Sequence, residues 1–206
     1  AGISARAEQC LEDALDRCDE IEDETTRASL LFWCGLSAFL QSEYVRARVI
    51  MLEACELAER HNLAAVLLQP YGYLSQADLI LGKLPEAVEY AERGMALGER
   101  FGPDNPFAMA CRSNRAAALA TLGDHETALR DAEVCGILAD EYGPSIETFN
   151  IEISVGWAYK ICGEPNLAYK HFEKAGKISR ERGNAEGEVF SRALVIYASL
   201  QERGAD

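Results

Sequence analysis

The sequence predicts an all-α fold, a right-handed solenoid of about ten helices paired as antiparallel hairpins, and two sets of recurring residues carry that expectation. The first is a run of small residues, G-x4-A-x3-A-x2-G, seen in full at Gly82, Ala87, Ala91 and Gly94. It returns as Gly123, Ala128, Ala132 and Cys135, as Gly163, Ala168, Phe172 and Ala175, and upstream as Ser42, Ala47, Met51 and Ala54. The leading alanines are 40, 41 and 40 residues apart. The second set is Asn62, Gly102, Gly143 and Gly183, residue types suited to a left-handed helix C-cap and again 40 or 41 apart. So long a fixed period marks stacked helical hairpins, because one hairpin cannot bury its own apolar face without neighbours.

In chain order, residues 1–24 hold a second helix whose first partner is absent. Ala7, Leu11 and Ala14 keep the register of the later repeats, and 19–24 is an acidic, solvated turn. Repeat one (25–62) opens on the apolar run 28–40 and turns at Ser42 and Glu43. Repeat two (63–102) pairs a helix over 63–81 with one over 85–100, and Pro85 suits the first turn of the latter, where its missing N–H has no intrahelical role. The segment 102–106, with two prolines, is expected to be a stiff turn. Repeat three (103–143) pairs 106–122 with 125–142, and repeat four (144–183) pairs 145–162 with 166–182. Residues 184–206 hold one more first helix over 185–203, and 204–206 resembles the opening of a further second helix. The whole, 1–206, is one superhelical domain. Both ends fall inside a repeat, which leads us to expect a longer array or self-association through the open ends.

With 49% hydrophobic and 26% charged residues, the 206-residue chain has the composition of an ordered globular protein. A net charge of −14 argues against nucleic acid or an anionic membrane as partner, since both need a basic footprint. No apolar run reaches the roughly 18–20 residues of a membrane span, and no basic-then-apolar leader opens the chain. A cytoplasmic location is the expectation. Seven cysteines without a C-x2-C pair suggest free thiols serving as small core residues. His61, His125 and His171 lack ligand spacing, so neither metal nor cofactor is expected. There is no Gly-rich phosphate loop, no G-x-S-x-G and no His-Glu-x2-His, and the carboxylates are assigned to outer helix faces, so the chain is not expected to be an enzyme.

The recurring residues resemble the tetratricopeptide repeat (TPR), with its W-x2-L-G-x2-Y first helix and A-x3-F-x2-A second helix. Repeat one offers Gly35, Ala38, Tyr44, Ala47, Met51 and Ala54, and repeat two Tyr71, Ser75, Leu84, Ala87, Ala91 and Gly94. Repeat three offers Ala116, Leu119, Ala128, Ala132 and Cys135, and repeat four Gly156, Tyr159, Ala168, Phe172 and Ala175. The period exceeds the usual 34 residues. It resembles the long-repeat branch found in kinesin light chains and in maltose-activator-like regulators, and 99–106 is similar to the inter-repeat turn of the kinesin light chain type. HEAT or armadillo repeats share the period but would need a third helix that does not fit.

The resemblance implies that the first helices line a concave groove. The residues expected there are Ser29, Phe32, Trp33, Leu36 and Phe39; Gln69, Gly72, Tyr73, Gln76 and Ile80; Ala110, Ser113, Asn114, Ala117 and Thr121; and Asn150, Ile153, Ser154, Trp157 and Lys160. The carboxylate clamp known in the family would fall at Phe32 and Leu36 in repeat one and is therefore absent. Rings and amides suit an apolar or amphipathic segment instead, although a ring at helical spacing serves a core equally well. The implied function is a non-catalytic scaffold that binds a peptide or protein partner. The alternative is a ligand-sensing module of a larger transcriptional or signalling regulator.

Overall fold

A computed structural model describes residues 2–102 and 105–202. Among them are ten α-helices and no strand: α1 (Gly2–Asp16), α2 (Glu24–Leu40), α3 (Tyr44–Arg60), α4 (Ala64–Ile80), α5 (Leu84–Gly98), α6 (Pro106–Leu122), α7 (His125–Ala139), α8 (Ile146–Ile161), α9 (Pro165–Glu181) and α10 (Ala185–Glu202). The expected stiff turn includes Pro103 and Asp104, and the expected helix opening covers 204–206; both lie outside the described residues.

Punctuation is written in the backbone. Positive φ occurs at Ser42, Gly82, Gly123 and Gly163, and again at Asn62, Gly102, Gly143 and Gly183. The inner set closes each hairpin with one pair of hydrogen bonds: in the first, Ser42 N–H donates to Phe39 O at 2.9 Å and Glu43 N–H to Ala38 O at 3.0 Å. This Schellman arrangement satisfies carbonyls that a helix end would otherwise leave open, and it recurs at Gly82, Gly123 and Gly163. Helix starts are capped where the chain supplies a short acceptor: Asp23, Asn105, Asp124 and Ser145 each accept from backbone N–H groups of the first turn.

Within each hairpin the small-residue register is the seam. Ala47, Ala87, Ala128 and Ala168 are fully buried, and so are Met51, Ala91, Ala132 and Phe172 one turn on. Size is balanced across the seam. The large Met51 and Phe172 face Gly35 and Gly156, while in the other two hairpins the equivalent positions are the small pairs Ala91 with Ser75 and Ala132 with Ala116, all buried. A Cβ on Gly35 would fall 2.6 Å from Met51 Cγ, and one on Gly156 would fall 2.5 Å from Phe172 Cε1. Ser75 fills its smaller gap and donates its hydroxyl to Ala87 O at 2.8 Å.

Stacking explains which side is concave. Each of α4, α6 and α8 packs on the second helices to either side, and α6 also packs directly on both α4 and α8. Among the described residues no comparable contact joins successive second helices. The first helices therefore lie on the inside of the curve, and their inward faces form its wall.

Two expectations about polar residues need revision or qualification. Three carboxylates assigned to outer faces are buried: Asp78, Asp131 and Glu152. Each is held by a neighbour, Asp78 by Arg48, Asp131 by Arg115 at 2.8 Å, and Glu152 by His171 at 2.6 Å. A buried charge needs such a partner, and the sequence pattern alone does not show which acids have one. The cysteines are all free; Cys18, Cys34, Cys55, Cys111 and Cys135 are buried, Cys162 is half-buried and Cys10 exposed.

Candidate binding groove

The concave wall holds a cavity of about 440 Å³. Its floor comes from α6 and α8, with Ala117, Thr121, Ile153, Ser154 and Trp157; one side comes from Gln76, Leu79 and Ile80 of α4 with Phe39 and Tyr44 beyond; Phe149, Asn150, Ile161 and Phe190 close the other. A smaller niche adjoins it, lined by Gln69, Gly72, Tyr73, Gln76, Phe107, Ala110, Asn114, Glu147 and Asn150. Gln76 and Asn150 line both, so the two form one continuous site.

Register explains which side chains arrive. Positions 36, 76, 117 and 157 are equivalent in the repeat, as are 40, 80, 121 and 161, and 29, 69, 110 and 150. From repeat two onward the members of these sets face the cavity or the niche. Phe190 is one period beyond Asn150 and arrives the same way from α10.

Of the residues expected in the groove, Phe39, Gln76, Ile80, Thr121, Asn150, Ile153 and Trp157 line the main cavity, and Gln69, Tyr73 and Asn114 line the niche. Six line neither: Ser29, Phe32, Trp33, Leu36, Ser113 and Lys160. Phe32 is buried, its ring 5.9 Å from that of Tyr73. Trp33 is 58% exposed beside it; among the described residues no inner helix packs on the far side of α2. Leu36 packs against the N-terminal core and Ser29 turns its hydroxyl onto Thr25 O. Lys160 places Nζ 3.8 Å from the centre of the Tyr197 ring on α10.

Ser113 and Asn114 are only 0% and 3% exposed, which corrects their reading as open groove residues. Ser113 turns its hydroxyl onto Ala110 O at 2.9 Å within its own helix, and Asn114, at the edge of the niche, is bonded to the neighbouring inner helices. Asn114 Nδ2 donates to Gly72 O at 3.1 Å, and its Oδ1 accepts from Ser154 Oγ at 3.1 Å, so one amide ties α4, α6 and α8 together. A ladder of this kind holds the curve of the wall and leaves that amide unavailable to a ligand. The sequence does not single out Tyr44, Leu79, Phe149, Ile161 and Phe190 of the cavity, or Phe107 and Glu147 of the niche. Ile161 and Phe190 were within reach of sequence reasoning, being one period on from Thr121 and Asn150. Tyr44 opens an outer helix and carries no such signal.

The site is apolar, aromatic and nearly uncharged. Among the described residues no ionised side chain lines the main cavity, and Glu147 is the one charged residue that lines the niche. Trp157 sits edge-on to Phe172 at 6.0 Å and near Tyr197 at 6.0 Å, so its ring is held from the core side. Burial, with the Glu147 carboxylate nearby, pushes the Tyr73 hydroxyl up to about 12, so it stays protonated. The amides of Gln69, Gln76 and Asn150 make no hydrogen bond to another described residue. An arrangement of this kind can bury an apolar group and offer unspent hydrogen bonds beside it; it assembles no nucleophile with a base.

No protein-family model matches the chain, and no curated protein matches it. Solved structures do. A Rap protein complexed with competence and sporulation factor superposes with a TM-score of 0.70 at 17% identity, over 87% of this chain and 50% of that one. A putative kinesin light chain with nearly identical TPR-like repeats from Podosopora anserina gives 0.62 at 14% identity, over 88% and 91%. A signal transduction ATPase with a tetratricopeptide repeat sensor from Pyrococcus horikoshii gives 0.63 at 14%, over 91% of this chain and 30% of that one. This chain thus spans half the length of the Rap protein and under a third of the ATPase. With its 40- to 41-residue hairpins and these neighbours, the chain has the fold of a tetratricopeptide-repeat solenoid.

Proposed function

We propose that the chain is a non-catalytic interaction module whose concave groove takes an apolar or amphipathic segment of a peptide or protein partner. The observation that supports this most is the cavity of about 440 Å³ walled by rings and aliphatic chains, with unpaired amides at its edge. Apolar area supplies the affinity in such a site, and a few polar groups fix the orientation. The Rap neighbour, whose structure contains competence and sporulation factor, lends the same fold a bound partner.

Trp157→Ala removes the largest side chain of the wall and leaves the small residues of the hairpin seam in place. Screening a display library of random dodecapeptides against the 206-residue chain should enrich binders that lose at least tenfold in affinity for this variant. A library that yields no binder, or only binders indifferent to Trp157, would overturn the proposal.

A second reading, a sensing module within a larger regulator, draws on the enclosed volume, which suits a small ligand as well as a side chain, and on the sensor named in the Pyrococcus ATPase. A metabolite panel that shifts Trp157 emission at micromolar concentration would favour it over the peptide reading.

A further inference from the structure

The niche beside the main cavity carries a preference of its own. Glu147 stands in the first turn of α8 and forms no ion pair with a described residue. The helix N-terminus accommodates a carboxylate at such a position, and that alone would mean nothing. Its surroundings are what single it out. It shares the niche with Gln69, Gln76 and Asn150, none hydrogen-bonded within the described chain, and with Tyr73, whose hydroxyl its charge reaches. Lys160, the cation expected in the groove from the sequence, is turned onto the Tyr197 ring and lines neither cavity.

Building on the groove reading above, we infer that the bound segment is cationic as well as apolar: a large uncharged side chain fills the main cavity while the tip of a lysine or arginine beside it meets Glu147 at the mouth of the niche, whose own volume is only about 20 Å³. The charge of Glu147 decides this, and the amides beside it can serve either sign of ligand. The Glu147 carboxylate offers acceptors to an ammonium or guanidinium, and the amides that share the niche, each with a carbonyl oxygen, can take up further N–H donors of an arginine. An acidic segment would bring its carboxylate to Glu147 with no cation among the described lining residues to offset it. The long-range field points the same way, because a chain of net charge −14 draws cations toward its surface and repels anions.

The test uses fluorescence anisotropy with an array of labelled, terminally blocked heptapeptides, each holding one Phe, Leu or Trp and, at every spacing from it, Arg, Gln or Glu. Blocking both termini removes end charges from the comparison. The Arg members are expected to bind at least tenfold tighter than their Gln counterparts, with Glu members weakest, and the Arg advantage should shrink as salt rises from 50 to 300 mM. Glu147→Gln should bring Arg and Gln members within about twofold while leaving the Gln members' affinity in place. Glu147→Lys should reverse the order. Binding that depends on Trp157 but shows no Arg preference, or a preference that survives Glu147→Gln, would sink this inference and leave the groove reading standing. Absence of binding by every member would remove both.

Discussion

Replacing Gly156 with alanine tests how tightly α8 and α9 are fitted. The new Cβ would lie 2.5 Å from Phe172 Cε1, 2.7 Å from Cδ1 and 3.0 Å from Cζ, where carbon atoms normally rest about 3.5–4.0 Å apart. Phe172 is completely buried and Trp157 stands edge-on to it at 6.0 Å, so the ring cannot swing clear without disturbing the groove wall. Two opposing terms decide the outcome. Alanine in a helix interior gains roughly 1 kcal/mol over glycine, and overpacking a filled core costs about 1–3 kcal/mol. With three ring atoms inside contact distance, the cost belongs near the upper end of that range, which leaves a net loss of about 1–2 kcal/mol.

Urea unfolding followed both by circular dichroism and by tryptophan emission measures this, and the second probe also reports any tilt of Trp157. Phe172→Ala alone should cost about 3–5 kcal/mol. In the double variant the Cβ enters space the ring has left, so the alanine at 156 turns from a cost into a gain, an interaction energy of about 2–3 kcal/mol. Repeat three already contains this pairing as Ala116 and Ala132. Were Gly156→Ala stabilising by itself, or were the two changes additive within about 0.5 kcal/mol, the size-balance account of the hairpin seam would be wrong.

Three further outcomes follow from buried groups. Asn114→Ala should destabilise by about 2–3 kcal/mol in the same unfolding assay, since it breaks two hydrogen bonds and strands Ser154 and Gly72; a loss below about 0.5 kcal/mol would show that the ladder is idle. Burial pushes the Asp78 carboxyl up, and the Arg48 guanidinium pulls it only partly back. A folded-state pKa above the unfolded value of about 3.9 means that this group's contribution is full below that value and lost as pH rises through the folded pKa. The stability difference between the parent chain and Asp78→Asn should therefore drift against the parent as pH climbs from about 4 toward neutrality, and a drift of opposite sign would mean that the Arg48 pair dominates. For the cysteines, a chromogenic disulfide reagent should label Cys10 first and Cys162 next. Cys55 and Cys111, whose thiols burial pushes up to about 12, should react only on unfolding.

The hairpins were legible because their evidence is local and repeated. Ser42, Gly82, Gly123 and Gly163 each mark a turn within five residues of the alanine that begins the next seam, and a left-handed residue at such a spot has few alternatives. The groove was legible only in part. Sequence period assigns a residue to a face of its helix, but the angle between successive inner helices decides whether that face meets a neighbour or open space. Asn114 and Gln76 both sit on inward faces; Asn114 is consumed by Gly72 and Ser154, whereas Gln76 lines the cavity. The buried pairs were hidden for a related reason. Glu152 and His171 are 19 residues apart on different helices, and nothing in their spacing announces contact at 2.6 Å.

Internal repetition separates scaffold from specificity within this one chain. Four repeats occupy equivalent positions under the same stacking constraint, so a position filled alike in all four is answering to stacking alone. Ala47, Ala87, Ala128 and Ala168 are such a set, buried and identical. The groove registers behave in the opposite way: Leu36, Gln76, Ala117 and Trp157 share one place in the repeat, as do Leu40, Ile80, Thr121 and Ile161, yet their chemistry changes from repeat to repeat. Stacking alone cannot require an amide in repeat two, a methyl in repeat three and an indole in repeat four at a position that lines the cavity. Such variation is what the proposed function needs of a wall if each repeat is to meet a different part of one extended partner, and under that proposal recognition falls to Gln76, Trp157 and their neighbours rather than to the seam that makes the solenoid.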